Sequence, residues 1–249
     1  MDSTGIILAV ALAALIQGYA GFGFGIVSMA SLALLRVPLV SGAAVVSVVA
    51  TVMVAALARL SWKDGKVLWR QVLLILAGTS AGVPLGYLFL LKFGDQPVGR
   101  FALGIVLVCF CFALLSAQQA TVRLPPWLGL PIGGTSGFIG GAFVSGGPPL
   151  VLYLYAQAED PRTMKPTIQV IFLVTCVLRL AAAGVSGVLS RPGVLTTSAV
   201  SVPLALAFLA TGHFLSRRVS STRFARTVQV LIGVVGVLLI VLNAREMSG

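Results

Sequence analysis

Two glycine-laden apolar segments hold the residues best suited to chemistry in this sequence. One reads Gln17-Gly-Tyr-Ala-Gly-Phe-Gly-Phe-Gly25. The other reads Gly133-Gly-Thr-Ser-Gly-Phe-Ile-Gly-Gly141 and continues to Ser145-Gly-Gly-Pro-Pro149. Glycine lets backbone N–H groups approach a ligand closely and permits unusual dihedrals. A helix that restarts after such a turn adds the positive end of its dipole. These groups hold an anion without reacting with it. The candidates are Gly21, Gly23 and Gly25 in the first segment, and Gly137, Gly140, Gly141, Gly146 and Gly147 in the second. Ser28, Thr135, Ser136 and Ser145 add hydroxyl donors. Each glycine taken singly reads first as a means of close helix packing, as small residues are throughout membranes. The two clusters together read as a site.

Arg179 is the one charge inside the apolar run Pro166 to Leu189. A charge there costs at least about 2.5 kcal/mol by insertion scales and should face a partner or a cavity. It reads either as an anion-attracting group or as a residue that snorkels to an interface. His213, the only histidine, sits near the end of its own run. It reads either as a proton-coupling group, since an imidazole titrates near neutral pH, or as a local helix cap. Gln17, Gln169, Tyr153 and Tyr155 offer further polar atoms within apolar runs, for a ligand or for packing. The six acids, Asp2, Asp64, Asp95, Glu159, Asp160 and Glu246, all fall at loops or ends, so a relay of buried carboxylates is not expected. Cys109, Cys111 and Cys176 lack metal-ligand spacing and read as small packing residues. No paired carboxylate or nucleophile–base pair supports an enzyme. Neither a metal nor a cofactor is expected.

The elements that must position these groups lie in a bilayer. The chain has 249 residues, 58% hydrophobic and 9% charged, with a mean hydropathy of +1.07. Runs such as Leu39 to Ala58, Val72 to Leu91 and Phe101 to Thr121 reach the roughly 20 residues needed to cross a membrane. The net charge of +11 gathers at the ends of the runs, where it anchors helices and sets topology, and not in a nucleic-acid-binding stripe. The opening Met1-Asp-Ser-Thr lacks a basic signal-peptide region, so the first run is expected to be retained.

Two charge-free segments, Thr4 to Leu35 and Pro126 to Gln157, are each 32 residues long. A straight helix of that length would span about 48 Å, well beyond a core of about 30 Å, yet two crossings need about 40 residues. Each is expected to be a broken helix or re-entrant hairpin that turns at its glycines, which membranes tolerate only against protein or a cavity. If both segments return to the side they entered, the loop Lys and Arg residues split eleven against five, Arg179 set aside. The positive-inside rule then makes the basic side cytoplasmic and puts both termini outside.

The expected fold is therefore an all-α polytopic membrane protein of two inverted repeats. Each repeat has a broken or re-entrant helical hairpin followed by three transmembrane helices. The repeats cover residues 1–118 and 126–249, joined by a linker at 119–125. Gly21-Phe22 is set against Gly137-Phe138, and Gly86 and Arg100 against Gly212 and Arg226. Inverted repeats with broken helices are the architecture of secondary transporters, with substrate held near the midplane.

Gly18-Tyr-Ala-Gly-Phe-Gly-Phe-Gly25, Gly133-Gly-Thr-Ser-Gly-Phe-Ile-Gly-Gly141 and Gly146-Gly-Pro-Pro-Leu-Val-Leu-Tyr153 together resemble the TauE/SafE sulfite-exporter family. The likeness covers nearly the whole chain. Phe24 departs from the commoner form of the first motif, where a small residue often sits. The resemblance implies export or exchange of sulfite, sulfonates or related organosulfur anions across the bacterial inner membrane. The expected partners are a small anionic substrate and the lipid bilayer, with no nucleic acid; a homodimer is compatible with this reading. An anion channel on the same scaffold, or an importer of an organosulfonate coupled to an ion, are the alternatives.

Overall fold

A computed structural model of the chain describes residues 3–20, 23–61, 66–116, 124–156, 161–216 and 221–248. These form the helices α1 (Ser3–Ala20), α2 (Phe24–Leu34), α3 (Leu39–Ser61), α4 (Trp69–Phe93), α5 (Pro97–Ser116), α6 (Gly129–Phe143), α7 (Gly147–Ala156), α8 (Pro161–Val185), α9 (Val194–Ser216) and α10 (Ser221–Ser248). Short 3-10 turns precede α6 and α9. Among the described residues there is no strand. Five helices, α3, α4, α8, α9 and α10, are long and apolar enough to cross a membrane. Large apolar side chains such as Leu73, Leu88, Phe112 and Val200 face outward, where lipid tails would cover them. The chain is an all-α, multi-pass membrane protein.

Both long charge-free segments are broken, the first at Gly23 and the second at Val144, whereas the glycines from Gly133 to Gly141, expected to turn the chain, lie within α6. Between α1 and α2 the backbone passes through Gly23 at φ 102°, in the left-handed region that glycine adopts without cost. Gly21, also expected in this turn, lies outside the described residues. The first amide of α2, on Phe24, is met by the Gln17 side-chain oxygen at 3.0 Å. Between α6 and α7 the chain turns at Val144, with φ 55°. Pro148 and Pro149 then fall in the first turn of α7, where their missing N–H groups cost nothing.

Each short helix doubles back on the one before it. Leu35 lies over Gly5 in the first pair. In the second, Ser136 Oγ donates to the Gly146 carbonyl, and Tyr153 Oη donates to Pro126 O at 3.0 Å. The start of α1, the ends of α2 and α10 and the start of α3 share one end of the bundle. There Thr197 bonds Ser3, Arg36 pairs with Glu246, and the Val40 amide meets Asp95. At the opposite end the start of α6 and the end of α7 pack with the start of α4, around Val72, Ile75, Leu150 and Tyr153.

Glycine-lined seams tie the halves together. α4 and α6 run parallel so closely that a Cβ on Gly78, Gly82 or Gly86 would strike the backbone of α6. Gly133, Gly137 and Gly141 meet α4 in the same way. α1 and α9 form a second parallel pair: Gly18 abuts Leu209 and His213, and Gly212 abuts Leu15 and Tyr19. Those partners answer Val83 and Tyr87 at Gly141, and Phe138 and Ala142 at Gly86. Gly18 and Gly141 thus make contacts of one kind, as do Gly212 and Gly86. α5 and α10 run antiparallel, with Gly104 beside Gly236 and Cys111 beside Gly233. α3 and α8 are also antiparallel, with Ser47 at Arg179 and Thr51 at Cys176.

Adding one methyl group separates seam glycines from bystanders. Gly82→Ala places a Cβ on the Gly134 carbonyl and should lower stability by roughly 1–3 kcal/mol. Gly134→Ala meets only Gly78 O, at 3.9 Å, and should leave stability unchanged or raise it by up to about 1 kcal/mol. Unfolding of the two detergent-solubilised variants measures both.

Candidate functional site

Arg179 is the centre of the interior polar cluster. It lies on α8, is 2% exposed, and is carried in as the only charge of an otherwise apolar span. Nε donates to Ser47 Oγ of α3 at 2.6 Å. Nη1 donates to two carbonyls in the last turn of α6, Gly140 at 2.5 Å and Gly141. The guanidinium lies 5.8 Å from the ring centre of Tyr87 on α4, within cation–π range. Tyr87 is itself held by Ser186 at 2.8 Å. Nη2 is buried with no hydrogen-bond partner among the described residues.

The local logic is that of a helix end. The last carbonyls of a helix have no internal partner and carry its negative dipole end. α6 stops in the interior because Val144 leaves the helical region. Arg179 from a neighbouring helix meets the Gly141 carbonyl there, and adds a second donor to Gly140 O, which already accepts the Val144 amide at 3.0 Å. No carboxylate pairs with Arg179 among the described residues, where the ion pair found is Arg36–Glu246 at the bundle's end. The charge is solvated by dipoles alone. Of the two readings that the sequence left open, burial excludes snorkelling.

The remaining candidates divide by what they touch. Gly140 packs on Gly146 and Thr175, Gly146 on Ser136, and Gly147 on Phe172 of α8. These glycines line the second turn together with Ser145, whose hydroxyl is buried and donates to Phe143 O at 2.7 Å. Gly25 closes against the Val144 carbonyl, so the tips of the two turns meet. Gly23 has open space around it. Ser28, on the next turn of α2, is fully buried and its hydroxyl lacks a hydrogen-bond partner among the described residues. Gly137 and Gly141 point their Cα faces at α4, although the Gly141 carbonyl serves Arg179. Thr135 bonds back to Pro131 and Ile132 and faces outward. His213 stands in the last turn of α9 with its side chain exposed, apart from this cluster.

Two half-helices thus begin at the meeting point, α2 after Gly23 and α7 at Gly147, with the positive ends of their dipoles directed inward. With Arg179 they make a positive, charge-poor interior lined by backbone and hydroxyls. Such a place suits a small anion. Ser47, Tyr87 and Val144 were not legible as members of the site. Ser47 is one hydroxyl in an apolar helix, and nothing in the sequence marks a β-branched residue for the left-handed region. Cys176, one turn before Arg179, touches Thr51 and occupies a packing position, as expected.

Compared with protein-family models, the chain matches the sulfite exporter TauE/SafE model over residues 6–239. No curated protein and no solved structure matches it.

Removing the Ser47 hydroxyl leaves a buried guanidinium N–H unsatisfied. Ser47→Ala should therefore cost about 1–3 kcal/mol of stability. Ser80→Ala, which removes an exposed hydroxyl on α4, should stay within about 0.5 kcal/mol of the parent. Thermal unfolding in detergent compares them.

Proposed function

Because this chain belongs to the TauE/SafE sulfite exporter family, we propose that it is a secondary transporter of small sulfur-containing oxyanions. Sulfite and organosulfonates are the expected substrates, moved outward across the bacterial inner membrane. The observation that carries the reading is Arg179: a fully buried cation with no carboxylate partner among the described residues, set where two broken helices meet. An anion is the counter-charge this arrangement lacks. The site residues proposed are the turn glycines Gly21, Gly23, Gly25, Gly140, Gly146 and Gly147, the hydroxyls of Ser28, Ser136 and Ser145, and Arg179. Gly137 and Gly141 act from behind by fixing α6 on α4.

The mechanism proposed is alternating access between inverted halves. Its support is directional. The helices that would correspond, α3 with α8 and α5 with α10, run antiparallel wherever they touch. The first helix of each half packs parallel to the penultimate long helix of the other, α1 on α9 and α6 on α4. At about 1.5 Å per residue, α2, α6 and α7 are too short to cross a core of about 30 Å, which favours re-entrant hairpins. Both described chain ends share the bundle end opposite the start of α4, where Lys66 and Arg70 lie. The positive-inside rule then makes the termini periplasmic.

Coupling is not needed for export. The membrane potential drives an anion out of the cytosol with about 2.3 kcal/mol per charge per 100 mV. The closed interior favours a carrier over an open pore, since Arg179 and Ser145 are each 2% exposed.

Reconstituted protein should show saturable sulfite flux that is stimulated by sulfite or a sulfonate on the other side, and Arg179→Gln should reduce it at least tenfold. Non-saturating flux without counter-flow stimulation would indicate a channel. Normal flux in Arg179→Gln would remove Arg179 from the site. In the same vesicles, single cysteines at Ser3 and Met247 should label from one face; labelling from opposite faces would refute the hairpin topology.

A further inference from the structure

The Arg179 contacts describe more than a waiting cation. Its Nη1 donates to two carbonyl oxygens, of Gly140 and Gly141, presented side by side by the end of α6. Neighbouring oxygens of this kind are what a sulfite or sulfonate group would offer the same donors. Val144, the residue that ends α6 three positions past Gly141, holds φ 55°, a conformation that strains a β-branched side chain. Strain of this kind persists only where surrounding contacts impose it. Those contacts are the Arg179 grip on α6 from one side and the approach of Gly25 to the Val144 carbonyl from the other. Nη2, buried with no hydrogen-bond partner among the described residues, holds two further N–H donors.

We propose that Arg179 is a substrate-displaced latch: the α6 carbonyls occupy its N–H groups in the closed state, and a bound oxyanion takes their place. Loading the site then releases the strained turn at Val144, so that binding and opening of the α6–α7 hairpin are one event. Ser47 acts as a positioning residue, holding Nε so that Nη1 and Nη2 face the exchange point. The latch also sets a specificity rule. A ligand must bring at least two adjacent anionic oxygens to compete with two carbonyls, so a sulfonate should release the turn and a halide should not. This inference rests on the transporter reading above, and its test separates the two.

The amides of residues 144–147 report the turn, the Val144 amide being bonded to Gly140 O at 3.0 Å in the closed state. Hydrogen–deuterium exchange of the detergent-solubilised protein follows them, with methanesulfonate as probe and chloride as control. In the parent, methanesulfonate should speed exchange at the turn about tenfold and chloride should not. Arg179→Gln should exchange at least tenfold faster with no anion present and ignore methanesulfonate, while Arg179→Lys falls between. Ser47→Ala, which keeps the cation, should show faster exchange confined to the same turn. Slower or unchanged exchange in a parent that binds methanesulfonate would overturn the latch. So would variants whose exchange rises equally throughout the bundle. If the parent binds no methanesulfonate, the substrate reading fails, and the anion-free arms of Arg179→Gln and Ser47→Ala still decide whether Arg179 holds the turn shut.

Discussion

A helix that stops inside a membrane leaves carbonyls that only protein can satisfy, and the contact between Arg179 and the end of α6 is where this chain meets that constraint. The cation and the helix end each solve the other's problem. A guanidinium taken into an apolar bundle needs oxygen acceptors, and a truncated helix needs donors. Ser47 supplies the third oxygen and Tyr87 a ring face, so α3, α4, α6 and α8 converge on one side chain. What the cluster lacks is negative charge. That shortage connects a packing device to the proposed traffic in anions.

The glycine seams make this convergence possible. Lipid tails give helices little hydrophobic reason to associate, so close backbone approach has to supply the attraction. Along α4 and α6 the approach is so tight that six glycines face backbone where a Cβ would stand. α6 is thereby fixed to α4, and only its terminal turn, at Val144, leans on contacts that a ligand could replace. The seam between α1 and α9 repeats the scheme for the first broken helix, with the Gln17 side chain meeting the orphan amide of Phe24. The first half has no second Arg179. In the proposed cycle the two hairpins are therefore unequal, one carrying the charge and the other closing over it at Gly25.

Much of this was legible in the residues. Length arithmetic on two charge-free segments required a break in each, because no helix of that length fits a bilayer once or twice, but it did not place the second at Val144. Arg179 stood out as the one charge in its run. The glycine clusters were legible as clusters but not in their division of labour. Gly137 and Gly141 turn towards α4, whereas Gly140, Gly146 and Gly147 line the second turn, and composition cannot say which face of a helix is which when both are small. The like contacts of Gly18 and Gly141 had no signal in the residues, since they arise from where α9 and α4 approach. Ser47 and Val144 had no signal at all, since their roles arise from the tertiary approach of α8 and α2.

In the proposed cycle one anion sits between the two broken helices against Arg179. A structure of the protein with selenite, located by the anomalous scattering of selenium, tests it most directly. A single strong selenium peak is expected within hydrogen-bonding distance of the Arg179 guanidinium, near Gly146 and Gly147, with the Arg179–Gly141 contact broken. A peak at the bundle's surface, or a bound anion that leaves Arg179 on the α6 carbonyls, would contradict it.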